Sequence, residues 1–158
     1  VTYRLRPFDP GDAPALAALT QDAIRSIGAQ AYSPAQVRAW ISGHITAERF
    51  VTRAEAGHRI TIAVDEAGTP AAYALLEGDG HLDMLYCAPA HAGRGLAGRL
   101  LNDTEEQARE MGSTKLYTEA SELARPAFER AGYALIERRE FELRGVMIHN
   151  YAMEKPLT

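Results

Sequence analysis

His81-Leu82-Asp83-Met84-Leu85-Tyr86-Cys87-Ala88-Pro89-Ala90-His91-Ala92-Gly93-Arg94-Gly95-Leu96-Ala97-Gly98-Arg99-Leu100-Leu101 runs from strand through loop into helix. Asp83, Leu85 and Cys87 share one face at period two, and Met84 and Tyr86 the other. Pro89 has no N–H and ends the ladder, so a short buried strand stops near Ala88. Gly93, Gly95 and Gly98 then clear side chains from a turn that opens an apolar helix carrying Leu96, Leu100 and Leu101. The first N–H groups of a helix have no intrahelical acceptor and lie at the positive end of its dipole. A diphosphate can therefore dock on them without a side chain.

Outward from this stretch, the chain is the size of one domain. Its 158 residues are 46% hydrophobic, enough to bury about two-thirds of the unfolded surface. The net charge of −4, with no run of Lys or Arg, argues against a nucleic-acid surface. One cysteine permits no intrachain disulfide and no cysteine-based metal cluster, and the five histidines lack metal-ligand spacing. The first twenty residues hold Arg4, Arg6, Asp9 and Asp12 without a continuous apolar core, and no stretch approaches a membrane span. We expect a soluble cytoplasmic protein with no metal, nucleic-acid or membrane partner.

Val1–Phe8 alternates as a first strand, and Asp9-Pro10-Gly11-Asp12 breaks it. From Ala13, the positions Leu16, Leu19, Ala23, Ile24 and Ile27 recur at helical spacing, with Gly28 where a helix-stopping glycine sits. Ser33-Pro34-Ala35-Gln36 supplies an N-cap, an N1 proline and a capping-box partner, with Tyr32 and Val37 placed as a hydrophobic staple. His44–His58 has no decisive period beyond a short helix around Ala47–Ala54. Arg59–Asp65 and Pro70–Glu77 join the central strand through short turns as an antiparallel meander. Leu96–Met111 is a helix closed by Gly112, and Lys115–Glu119 is the next strand. This strand–helix–strand unit is expected to be parallel and right-handed. Ser121–Ala131 is helical in its later part, with Pro126 near its start and Gly132 as the stop. Tyr133–Leu143 and Val146–Met153 close the chain as a hairpin, which offers a route to a homodimer.

Ala92-Gly93-Arg94-Gly95-Leu96-Ala97, following Leu85-Tyr86-Cys87, resembles the acyl-CoA-binding motif of the GNAT N-acetyltransferase superfamily, Gln/Arg-x-x-Gly-x-Gly/Ala after an apolar-aromatic-apolar triplet. Ala92 replaces the usual Gln or Arg. Ala120–Tyr133 resembles the later motif Asn-x-x-Ala-x-x-Phe-Tyr-Glu-x-x-Gly-Phe, with Ser121 for the Asn and Phe128 where a tyrosine acid often stands. The resemblance spans nearly the whole chain, as in small bacterial acetyltransferases of unassigned substrate. It implies an α+β GNAT fold: a mixed, mostly antiparallel sheet with one parallel β-α-β unit and about four flanking helices. Gly93, Gly95 and Gly98 also satisfy the dinucleotide pattern Gly-x-Gly-x-x-Gly, with Glu119 about twenty residues on. Only one parallel unit follows them, against the several that a dinucleotide fold requires.

The resemblance implies one domain, residues 1–158, that transfers acetyl from acetyl-CoA to a primary amine by direct attack. The acceptor would be a small molecule or a peptide. Leu85, Tyr86, Cys87, Ala92, Gly93, Arg94, Gly95, Leu96, Ala97, Gly98, Ser121 and Phe128 would meet the cofactor. Asp83 would accept the amine proton, a partly buried carboxylate with a raised pKa. Tyr32 and Trp40, around the second helix, would meet the acceptor or pack as core. Phe128 cannot be an acid, which leaves Tyr117, Tyr133 or water to protonate the thiolate. Ala92 and Phe128 keep a second function open, a CoA-binding sensor or interaction module with weak catalysis.

Overall fold

A computed structural model describes residues 2–42 and 45–158. Val1, which opens the expected first strand, and His44, which opens the undecided stretch, lie outside the described residues, as does the side chain of Ile27. Among the described residues, seven strands form two sheets. The first has the order β1 (Arg4–Pro7), β2 (Arg59–Val64), β3 (Pro70–Leu76), β4 (Leu82–Cys87). The second has the order β5 (Lys115–Ala120), β7 (Val146–Pro156), β6 (Ala134–Leu143). Every pairing inside either sheet is antiparallel.

Five α-helices flank them: α1 (Ala13–Ala23), α2 (Pro34–Ile41), α3 (Ala47–Glu55), α4 (Leu96–Glu110) and α5 (Arg125–Arg130). The short helix expected around Ala47–Ala54 is α3, which brings the described helices to five against the expected four or so. Leu96, Leu100, Leu101 and Ala108 of α4 bury against one face of the sheets with Leu116, Ala120 and Phe128. Leu16 and Leu19 of α1 and Phe50 of α3 bury against the other with Ile62, Tyr73 and Leu75. Each such aliphatic side chain contributes about 1.5–3 kcal/mol of burial.

The local signals operate as expected at α2, where Ser33 and Gln36 form the reciprocal capping box and Tyr32 and Val37 share a buried cluster. Pro126 stands at the start of α5, with Ser121–Ala124 as a turn before it. Gly28 is different. The helix leaves α1 through a π-turn, Ile24–Gly28, and Gly28 is not left-handed; its missing side chain makes room for Trp40, whose Cζ3 lies 3.4 Å from where a Cβ would stand.

The expected parallel ladder between β4 and β5 does not form. They run parallel but meet in one bridge, His81 with Tyr117, where the Tyr117 N–H donates to Gly80 O at 3.1 Å. The Thr118 hydroxyl adds a bond to Leu82 O at 2.7 Å. Just beyond, β4 bulges: Leu76 pairs with Leu82 but Leu75 with Met84, so Asp83 is the extra residue. A bulge bends its strand and ends regular pairing. The two sheets therefore splay from this point, leaving an open seam between β4 and β5.

Gly80 fixes the seam's closed end. Its φ is +95°, and a Cβ there would stand 2.1 Å from Lys115 O, a backbone atom. Gly57 has a similar φ of +94° but nothing within 4 Å. Gly80→Ala should lose about 2–4 kcal/mol of stability and lower the melting temperature by about 5–15 °C. Gly57→Ala should lose about 1 kcal/mol. Equal melting temperatures for the two variants would contradict the close approach.

Candidate active site

The seam exposes backbone. Ala88 N–H donates to Ala71 O at 2.8 Å, which sets the phase of the β3–β4 ladder. Antiparallel residues alternate between facing the partner and facing away. The peptide groups of Tyr86 therefore face β3, and those of Leu85 and Cys87 face the unpaired seam. Their side chains turn toward the α4 core, while Met84 and Tyr86 pack under α1 and α3. The Cys87 thiol lies against Ala88 O at 3.5 Å, and burial raises its pKa, which disfavours the thiolate.

At the open end of the seam the loop enters α4. Gly93 and Gly95 have φ of +75° and +76°, with nothing within 4 Å of either missing Cβ. The first N–H to close the helix is that of Arg99, on Gly95 O at 3.2 Å, so those of Leu96, Ala97 and Gly98 have no acceptor in α4. Ala92 and Arg94 are exposed and Leu96 is core. A tether that the sequence did not reveal pins this loop: the Tyr3 hydroxyl meets His91 Nδ1 at 2.7 Å, and Arg99 donates to Tyr3 O at 3.2 Å.

Two cavities meet across the seam. One, about 170 Å³ and mainly apolar, lies toward α4 and includes Leu85, Cys87, Ala97, Leu100, Ser121 and Ala124. The other, about 240 Å³, has aromatic walls in Tyr32, Trp40 and Phe141, carboxylates in Asp83 and Glu119, and Phe128 below. Tyr86, Trp40 and Ser121 border both. Tyr32 is a latch as well as a wall, since its hydroxyl accepts from Glu122 N–H at 2.8 Å and donates to His149 O at 3.1 Å. Glu122 accepts from His149 and Tyr151, both at 2.9 Å, and these bonds hold its pKa below the usual carboxylate range. Burial pushes the Tyr86 phenol up to about 12.

Asp83 faces the aromatic-walled cavity, but not as strict alternation predicts. The bulge turns it toward Arg53 of α3, whose Nη1 donates to Asp83 Oδ2 at 2.9 Å. Its side chain is 32% exposed, so the burial expected of it is absent. Arg53 also donates to Glu77 at 3.1 Å, Glu77 meets His81 Nδ1, and His81 Nε2 lies 2.8 Å from Glu119. His81 stacks on Tyr117 with centroids 4.7 Å apart, and Tyr117 bonds Asp79, which pushes its phenol up to about 12. Neither Tyr117 nor Tyr133 lines the two seam cavities; Tyr133 packs edge-on beneath Phe128. Both His81 nitrogens face carboxylates, which accept only, so both carry hydrogen. The bond to Glu119, then that to Glu77, raises the His81 pKa from 6.5 to about 9 against the opposing effect of burial.

A family model described as the acetyltransferase (GNAT) domain matches residues 28–155. The chain belongs to the GNAT acetyltransferase family. It is similar to YafP of Escherichia coli K12, described as an uncharacterised N-acetyltransferase, with 29% identity over 95% of this chain and 93% of that protein. A GCN5-related N-acetyltransferase from Rhodopseudomonas palustris superposes with a TM-score of 0.90 and 33% identity, over 99% of this chain and 97% of that one. PaiA N-acetyltransferase from Thermoplasma acidophilum, solved with coenzyme A, has a TM-score of 0.81 at 15% identity, over 99% of this chain and all of that one, a likeness of fold. Glu119, which a dinucleotide fingerprint would set against a ribose, instead holds a histidine.

Arg53, Glu77 and His81 are not candidates from the sequence, and Glu119 enters there only as the acidic residue of the dinucleotide pattern. Glu77 and His81 stand four apart across a glycine turn, the one local sign of the cluster. A histidine held above its unfolded pKa stabilises the fold fully below about pH 6.5, and that stabilisation is lost as pH rises through about 9. The melting temperature should fall between pH 7 and 10 and fall less in His81→Gln. Identical slopes would contradict the imidazolium bridge.

Proposed function

We propose that this protein transfers the acetyl group of acetyl-CoA to a primary amine by direct attack, residues 1–158 acting as one acyl-CoA N-acyltransferase domain. The observation carrying this is that unpaired peptide groups at Leu85 and Cys87 lead straight to the unclaimed N–H groups where α4 begins. Acetyl-CoA supplies the activated thioester. Gly93, Arg94, Gly95, Leu96, Ala97 and Gly98 would hold its diphosphate. Hydrogen bonds from backbone N–H to a charged acceptor contribute about 1.5–3 kcal/mol each. Three of them outweigh the one side-chain contact that Ala92 forgoes. The pantetheine arm would lie along Leu85 and Cys87, with Ser121, Ala124 and Phe128 around it.

The acceptor would occupy the aromatic cavity on the far side of the seam. Tyr32, Trp40 and Tyr86 suit an apolar arm, and a cation against such faces gains about 0.5–2 kcal/mol. Asp83 and Glu119 would receive its ammonium. The lone pair of the neutral amine forms the C–N bond, the C–S bond breaks, and the leaving thiolate takes a proton. Tyr86, a part-buried phenol bordering both cavities, would give it.

Thiol release with acetyl-CoA and a panel of primary alkylamines and lysyl peptides tests this. Turnover with one acceptor class is expected, and Tyr86→Phe should lower kcat about 10²-fold with little change in KM. Acetyl-CoA binding without turnover on any amine would favour a non-catalytic CoA-binding module. An unchanged kcat in Tyr86→Phe would assign the thiolate's proton to water.

A further inference from the structure

We propose that Glu119, backed by His81, is the proton acceptor for the ammonium of the incoming amine, with Asp83 as its electrostatic anchor. The inference rests on the amine-acetylation reading and assigns a step within it. Asp83 and Glu119 both line the acceptor-side cavity, one from β4 and one from β5. They differ in what stands behind them. Asp83 is bound to Arg53, a guanidinium that stays protonated in proteins and takes up no further proton. Glu119 is bound through Oε1 to a ring that exchanges protons.

That ring is fixed from every side. Glu77 at the end of β3 holds Nδ1, Glu119 of β5 holds Nε2, and Tyr117 stacks on its face. Asp79 holds the Tyr117 hydroxyl and also accepts from the His81 backbone N–H at 3.1 Å. Asp83 adds its charge from β4, and Arg53 and His58 balance Glu77 from the α3 side. The His81 side chain is 15% exposed. The imidazole fixes the Glu119 carboxylate through Oε1.

Proton affinity makes the pair a better acceptor than a lone carboxylate. An alkylammonium titrates at about 10.4 and an isolated glutamate at about 4.3, a gap of about six units. His81, held by its bonds to Glu119 and Glu77, is raised to about 9, much nearer the ammonium. The competent state has lost the proton that the pair holds at rest. The ammonium then gives one proton to Glu119, which is held between Oε1 and Nε2 and later released to solvent. The freed lone pair forms the C–N bond, and the second nitrogen proton leaves with the thiolate as C–S breaks. Atoms and charge balance as ammonium plus thioester giving amide, thiol and one proton.

The test is the pH dependence of kcat/KM with the best primary alkylamine of the panel, in the unaltered protein, Glu119→Gln and His81→Gln. Acetyl-CoA titration calorimetry on each verifies the fold. The unaltered protein should rise with pH to a plateau near 9. Glu119→Gln should be about 10²-fold slower at pH 7, with KM for acetyl-CoA unchanged, and its rise should move above pH 10, to the acceptor's own titration. His81→Gln should move the rise the same way with a smaller loss. A uniform loss with the limb left near 9, or no loss in Glu119→Gln, overturns the proposal but leaves acetylation standing. No turnover by the unaltered protein with any amine overturns both.

Discussion

One backbone hydrogen bond from β5 to the turn before β4, Tyr117 N–H to Gly80 O, is where the two sheets are joined, and the site depends on their being joined almost nowhere else. A complete β4–β5 ladder would bury the peptide groups of Leu85 and Cys87 and close the seam. The bulge at Asp83 prevents this within two residues of the bridge. Paired at one end and parted at the other, the strands present backbone donors and acceptors along a cleft whose walls are rigid because each belongs to its own sheet. Unpaired backbone in a protein interior costs free energy unless something else satisfies it. An extended ligand rich in amides, such as a pantetheine arm, answers that need.

The same geometry divides labour between the two faces. On the α4 side lie small apolar residues and a helix start stripped of side chains, suited to a long polyanion held by backbone. On the side of α2 and the β6–β7 hairpin lie rings and carboxylates. There Arg53 and His81 neutralise part of a dense acidic cluster made by Glu77, Asp83 and Glu119. Such pairs are partly solvated and add little to stability individually. Their effect is to fix where the carboxylates stand.

Much of this was legible along the chain, because the deciding signals were local. Pro89 and the glycines after it located the strand end and the helix start, and Ser33 with Gln36 located α2. The GNAT resemblance supplied the fold, since strand order is not contained in spacing. What escaped reading came from contacts between distant segments. A period-two pattern assumes constant register, so the Asp83 bulge, imposed by pairing with β3, turned that carboxylate toward α3 instead of toward the side of Leu85 and Cys87. Gly28 does end the helix, but through a π-turn and without the positive φ of a helix-stopping glycine. His81 and Glu119 are 38 residues apart and meet only because β5 returns to the closed end of the seam. Tyr32, Trp40 and Asp83 stand out in the sequence, but Glu119 and the histidine behind it do not stand out as their neighbours.

The most direct measurement is calorimetric titration of the protein with acetyl-CoA, with NADH as control, repeated on Gly98→Glu. Gly98 has ordinary helical space around it, so glutamate there keeps the helix and sets a negative charge among the unclaimed N–H groups. One-site binding of acetyl-CoA, none of NADH, and at least a tenfold loss of affinity in Gly98→Glu are predicted. No heat with acetyl-CoA, or affinity indifferent to the new charge, would contradict the seam and the helix start as the cofactor site.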